Sequence, residues 1–407
     1  MSDQTAHSLP FDVSQTLKRS ESIRRERREM RTRINEYLED PLIARLHEEA
    51  MSAGSFVPIT LDLTHVCQLR CEGCYFFSEQ LDNSKAPKDE TVFLEFVRRE
   101  RARGTNFITV LGGEPSLQLE RLKILHENFR CTTVTNGLRR IPREGFEGMG
   151  IAVSVWGDHE IDRDLRGAGK IDVFARALRN YKDDPRVIFY FTVSNANADG
   201  IESAVDEIVE NGNLVAFSFY EDWANRGGEF DQTKGYARAL REIYRMIDKH
   251  PAQIVTTAYM AEVAAGRKML DLTWGHDMCP VVSSGYNPEL DEWHGSAEWR
   301  RRNKERLSNG QPYHPNHRAI MPDLESVRRC AVGEESDCSK CHNAYARYVW
   351  VMLNRNKHTR TRQDFINWVT SAWTFCLGTG AIDRNRASEV LPRVHELTRS
   401  ARDESLI

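Results

Sequence analysis

The feature that most constrains this chain is an alternation. Between residues 57 and 221, short β-branched or aromatic runs take turns with stretches of helical periodicity. The runs are VPITLDLT (Val57 to Thr64), NFITVLGG (Asn106 to Gly113), CTTVTNG (Cys131 to Gly137), GIAVSVWG (Gly150 to Gly157), VIFYFTVS (Val187 to Ser194) and LVAFSFYE (Leu214 to Glu221). Segments such as DETVFLEFVRRERARG, IDVFARALRNYKDD and IESAVDEIVENG separate them. Repeated strand–helix units predict parallel strands with right-handed crossovers, which close most economically into a full or partial barrel. The expected fold is α/β, a partial (β/α)6 barrel with helices before it and a mostly helical, cysteine-containing extension after it. The expected divisions are a charged helical segment over 1–54, the barrel over 55–270 and the extension over 271–407.

In a parallel barrel the chemistry sits at the C-terminal ends of the strands. The polar residues here obey that rule. The cysteines Cys67, Cys71 and Cys74 follow the first run, Gly112 to Pro115 (GGEP) end the second, and Thr135 and Asn136 end the third. Ser154 and WGDHE end the fourth, Ser194 to Asn197 the fifth, and Tyr220 to Asp222 the sixth. All six groups fall on one rim.

A net charge of −4 argues against a general nucleic-acid or membrane-surface binder, so neither is expected as a partner. The N-terminus carries no basic-then-apolar signal, and no run of about 18 apolar residues appears, so the chain is expected to be cytoplasmic. Between Lys18 and Arg33 eight basic residues face three acidic ones, which reads as a solvated helix face. Nine cysteines in a chain without an export signal are thiols or metal ligands rather than disulfides. Three of them stand in HVCQLRCEGCYFF, and no other thiol precedes Cys131. A closed zinc site needs a fourth ligand, for which the loop offers only His65. An iron–sulfur cube held by three thiolates leaves one iron open to an outside ligand.

CxxxCxxC after the first strand, together with GGEP, resembles the radical S-adenosylmethionine (SAM) superfamily, and the resemblance covers roughly Val57 to Asp222. It departs at Gly73, where an aromatic residue is usual; Tyr75 and Phe76 follow instead. The resemblance implies a [4Fe–4S] cluster whose open iron chelates SAM, and a flavodoxin or ferredoxin type of electron donor. One electron then splits the sulfonium bond, giving methionine and a 5′-deoxyadenosyl radical that takes hydrogen from the substrate. It further implies that Gly112, Gly113 and Glu114 face the methionyl ammonium, Ser154 and Arg166 its carboxylate, and Asn195 the ribose, with Tyr75, Phe76, Thr135 and Asn136 completing the pocket. Read from the residues alone, GGEP and Thr135–Asn136 are also ordinary turn chemistry, and Arg166 is also a partner for Asp162 or Asp164 on a helix surface.

Cys279, Cys330, Cys338 and Cys341 form a second group around CSKCH. Their layout looks like the auxiliary-cluster extensions named SPASM and Twitch, with too few cysteines for two clusters. The group fits one additional [4Fe–4S] cluster, a zinc site or unligated thiols. Cys131 and Cys376 read as buried apolar groups. Trp156, His159, Tyr220 and Glu221 are the candidate substrate contacts, and their chemistry suits a polar small molecule such as a sugar, aminoglycoside or nucleoside. His159 serves equally as a helix cap. A peptide-modifying maturase is the alternative enzyme, and a non-catalytic metal-stabilised binding protein the remote one.

Overall fold

A computed structural model describes residues 13–54, 56–74, 76, 85–220, 236–267, 269–274, 286–287, 292–293, 318–325 and 342–402. Tyr75, Glu221, Cys279, Cys330, Cys338 and Cys341, assigned above from the sequence, lie outside the described residues.

Two helices, α1 (Val13–Tyr37) and α2 (Pro41–Ser52), precede the first strand. Asp40 starts α2 by accepting from the Leu42 and Ile43 amides, with Pro41 at the first helical position, where a missing N–H costs nothing. Arg24, Arg25, Arg27 and Arg28 on α1 are exposed, as a solvated face requires. The six expected strands follow: β1 (Pro58–Asp62), β2 (Phe107–Leu111), β3 (Arg130–Thr135), β4 (Gly150–Val155), β5 (Val187–Val193) and β6 (Leu214–Phe219). Helices α3 (Glu90–Ala102), α4 (Leu119–Asn128), α5 (His159–Arg166), α6 (Val173–Tyr181) and α7 (Ile201–Glu210) fall between them, and α8 (Tyr236–Lys249) and α9 (Ala258–Ala264) come after.

Beyond a short antiparallel hairpin, β7 (Tyr286–Asn287) with β8 (Glu292–Trp293), the strand β9 (Arg318–Ile320) joins the main sheet. The order is β6-β5-β4-β3-β2-β1-β9, and every pair in it is parallel. The sheet stays open, as a partial barrel does. Three helices close the chain: α10 (Ala344–Leu353), α11 (Arg362–Gly378) and α12 (Ala387–Thr398).

Strand alternation divides the core in two. Outward residues such as Ile151, Val153, Phe189, Phe191, Val215 and Phe217 pack under α3, α4, α6, α7 and α8. Inward residues Ile188 and Ala216 instead join Leu42 and Ile43 of α2, Trp350 of α10 and Trp368, Trp373 and Leu377 of α11. The segment after 271, expected as an extension, therefore supplies a seventh strand and the helices lining the inner face. Thr132 donates to the Thr379 carbonyl at 3.4 Å, and Phe375 meets Phe56 edge-on at 5.5 Å, both near the strands' N-terminal ends.

The inner face is not filled at its upper end. Val134, Ser154, Tyr190, Thr192 and Ser218 keep partial exposure while their outward neighbours are buried. A half-accessible interior thus opens toward the C-terminal rim, walled by hydroxyls, one phenol and an aliphatic side chain. Among the described residues no helix is long and apolar enough to cross a membrane.

Candidate functional site

The cysteine loop is tied to the rim at three places. On the first limb, the Gly113 and Glu114 amides donate to the Thr64 and Val66 carbonyls, each at 2.8 Å, so GGEP runs backbone to backbone along the loop. That approach requires glycine. A Cβ on Gly113 would stand 2.5 Å from the Val66 carbonyl carbon and nearer still to its oxygen.

In the middle, the Glu72 amide donates to the Leu165 carbonyl at 2.8 Å, docking the loop on the end of α5. At the far limb, Tyr220 at the end of β6 donates to the Gly73 carbonyl at 3.1 Å. Gly73 has φ +68, and a Cβ there would overlap the Tyr220 hydroxyl. Glycine before the third cysteine is thus explained locally: the aromatic ring that occupies this space comes from β6. Tyr220, expected from the sequence as a substrate contact, is 3% exposed, packs edge-on against Trp156 at 5.5 Å and supports the loop. Tyr220→Phe is expected to cost about 1 kcal/mol of loop anchoring. A faster loss of iron to a chelator, with little change in melting temperature, is the observation that checks it.

Cys67, Cys71 and Cys74 are each partly buried. The Leu69 amide and the Asn136 side-chain amide point at the Cys67 sulfur, at 3.4 and 3.9 Å, and the Arg166 charge favours the Cys71 thiolate. Burial pushes both the Cys67 and Cys71 thiols up, against those donors. Metal binding replaces the thiol proton, so ligation reverses that preference. His65, the only imidazole in the loop, accepts from the Ala86 amide at 3.2 Å. Among the described residues no three His, Cys, Asp or Glu side chains converge as ligands of a single ion. Three thiols along one pinned loop, with two N–H donors aimed at Cys67, fit a multi-iron cluster, in which different irons take different thiolates and hydrogen bonds to sulfur tune the group.

Glu114 is 1% exposed, and its carboxylate is fully engaged inside the protein. Oε1 accepts from the Ser116 amide at 3.0 Å and the Thr135 hydroxyl at 2.6 Å, and Oε2 from the Asn136 amide at 2.8 Å. It clamps β2 to β3 and caps the turn that follows. Thr135 is part of the same clamp. Asn136 accepts from the Leu138 amide at 2.9 Å while its NH2 faces Cys67.

Arg166 pairs with Asp162 at 2.9 Å, as its spacing allows, but at the buried rim and not on a helix surface. Ser154 touches it through its backbone carbonyl, at 2.6 Å, which leaves the Ser154 hydroxyl toward the interior. After β5, Asn197 orders the turn, accepting from the Ser194 amide and donating to the Trp156 and Thr192 carbonyls; Asn195, assigned from the sequence, is half-buried beside it. Phe76 is buried.

His159, expected from the sequence as a substrate contact, forms a bridge between helices. Asp158 is the residue that caps α5, and the two ring nitrogens of His159 meet Asp172 at 3.0 Å and Glu207 at 2.7 Å, joining α5 to α6 and α7. Burial pulls this imidazole down, but the two carboxylates outweigh it and hold its pKa above the ordinary value. The bridge's stability is therefore fully present below about pH 6.5 and lost as pH rises through the folded-state value. These side chains are about two-fifths exposed, so the contribution stays below about 1 kcal/mol. Denaturant titrations at pH 6 and pH 8 are expected to show His159→Gln destabilised at the lower pH only.

Comparison with known proteins agrees with this geometry. Residues 59–138 match the family model of a 4Fe-4S single cluster domain. The curated proteins give no match. Similar solved structures include native anSMEcpe with bound AdoMet, 18% identical over 47% of this chain and 60% of that one, with a TM-score of 0.40. Streptococcus suis SuiB bound to S-adenosylmethionine is 16% identical over 51% and 52%, at 0.39, and SuiB bound to precursor peptide SuiA is 16% identical over 65% and 59%, at 0.37. The chain spans 52–60% of the length of these structures. Three thiols on the strand-end rim of a parallel open sheet, inside the match to a 4Fe-4S domain, mark a candidate iron–sulfur site.

Proposed function

We propose that the chain reductively cleaves SAM and directs the resulting radical at a substrate held in the half-accessible interior below the rim. The observation that carries this reading is the three-point anchoring, at the strand-end rim, of the loop that bears Cys67, Cys71 and Cys74. When bound, the cluster and SAM together supply a 5′-deoxyadenosyl radical able to take a hydrogen atom. The residues of this chain bind, orient and exclude water. Cys67, Cys71 and Cys74 hold the cluster, the backbone of Gly112 and Gly113 receives the methionyl end of SAM, and Ser154 and Asn195 complete the contacts. Glu114, Thr135 and Tyr220 position the loops. A flavodoxin or ferredoxin type of donor delivers the electron.

The substrate reading starts from the interior walls. Ser154, Thr192 and Ser218 offer hydroxyls to a polar small molecule, with Trp156 half-buried at the mouth. A peptide is the second reading, favoured by the complexes of similar structures with SuiA and with the Cp18Cys peptide. Cys279, Cys330, Cys338 and Cys341 are proposed to hold one further cluster. About eight irons per chain after reconstitution supports that proposal, and about four leaves those thiols to zinc or to packing.

The test of the activity is product analysis. Reconstituted, dithionite-reduced protein incubated with SAM is expected to form methionine and 5′-deoxyadenosine in equal amounts. A fully iron-loaded protein that forms neither would contradict the reading.

A further inference from the structure

We propose that Asn136 tunes the cluster: its side-chain NH2, aimed by the turn that follows β3, is a fixed donor to the Cys67 sulfur and raises the cluster's reduction potential. The inference rests on the cluster assignment above, and gives the residue a role other than the SAM contact that the resemblance implies.

The neighbours of the carboxamide settle which way it faces. Asn136 is 8% exposed and stands where β3 ends. Its Oδ1 accepts from the Leu138 amide at 2.9 Å, so the N–H groups lie on the other side, where Nδ2 is 3.9 Å from Cys67 Sγ. A flipped amide would set N–H against N–H at Leu138 and oxygen against sulfur at Cys67. The backbone is held just as firmly. The Asn136 amide donates to Glu114 Oε2 at 2.8 Å, and its carbonyl accepts from Arg166 Nη2 at 3.4 Å. From the cysteine loop itself, the Leu69 amide approaches the same sulfur at 3.4 Å.

Charge gives the contact its use. Burial disfavours a thiolate at Cys67, and the buried carboxylate of Glu114 adds to that effect. An anion so placed also opposes an electron added to the cluster. Asn136 offsets it from both ends, with its backbone N–H on the carboxylate and its side-chain N–H on the sulfur. Reduction makes the sulfurs more negative, and an N–H donor stabilises that state more than the oxidised one. The difference is larger where water is excluded.

The experiment is an EPR-monitored potentiometric titration without SAM, following the signal that the Cys67/Cys71/Cys74 triple alanine variant lacks. Wild type, Asn136→Ala and Asn136→Ser are compared at equal iron content. Serine keeps a short acceptor for the Leu138 amide, as turn chemistry allows, but has no amide to reach the sulfur. Both variants are expected to lower the reduction equilibrium about fivefold, about 40 mV for one electron at 59 mV per tenfold. Equal midpoints in all three overturn the proposal, and so does a serine variant that matches wild type while alanine falls, since the turn alone would then account for the residue. Should neither variant load iron, wild type grown with 15N-asparagine is expected to show a nitrogen coupling to the reduced cluster; a spectrum without it also overturns the proposal. A wild type that takes up no iron would instead overturn the cluster assignment beneath it.

Discussion

Cys67→Ala, Cys71→Ala and Cys74→Ala are each expected to abolish 5′-deoxyadenosine formation and to lose the iron of the rim cluster, while the protein stays folded. Each substitution removes one thiolate from a set of three on a pinned loop, and no neighbour replaces it: His65 is turned to the Ala86 amide, and both oxygens of Glu114 are engaged in the clamp between β2 and β3. Stability should change little, because the hydrophobic clusters lie between sheet and helices and do not include these cysteines. Iron analysis, SAM cleavage and thermal melting check the three parts separately. Residual 5′-deoxyadenosine in any one variant would remove the reason for assigning that cysteine.

Gly113→Ala is expected to lower SAM cleavage by about 100-fold at full iron loading, since a displacement of about 1 Å at a reacting centre is enough for such a loss. The new methyl group meets backbone, the carbonyl of Val66, and not the end of a flexible side chain. Relief requires the first limb of the cysteine loop to separate from GGEP, which breaks the bonds to Thr64 and Val66. The effect should appear in the rate per cluster and leave melting nearly unchanged. A variant with the wild-type rate would mean that the contact between the two loops does not set the geometry of the site.

The strands were readable in the sequence because their outward positions are β-branched or aromatic and their polar residues gather at one end. Phe189, Phe191, Phe217 and the valines around them state the burial directly. Strand β9 was not readable, since Arg-Ala-Ile is too short for alternation to show. The three cysteines and GGEP announced the site; the roles of its supports did not follow from them. HEIDRDLR looks like a surface helix, with three acids and two arginines in eight residues. Yet Asp162 and Arg166 are buried, held by the Trp156 amide and by the Ser154 and Asn136 carbonyls. Glu114 reads as a ligand to an ammonium group until the turn after it is seen to need a carboxylate cap. Tyr220 and His159 stand where a substrate would pass in a linear reading, but contacts far along the chain, to Gly73 and to Asp172 and Glu207, decide their use.

The central claim is that Cys67, Cys71 and Cys74 hold a four-iron cluster with one iron open to SAM. EPR of the reduced, reconstituted protein before and after adding SAM tests it most directly, with the triple alanine variant as the control for any second cluster. The account predicts a reduced [4Fe–4S] signal, absent from the variant, whose g values shift when SAM binds. A signal that SAM leaves unchanged, or one that survives in the variant unaltered, would contradict it.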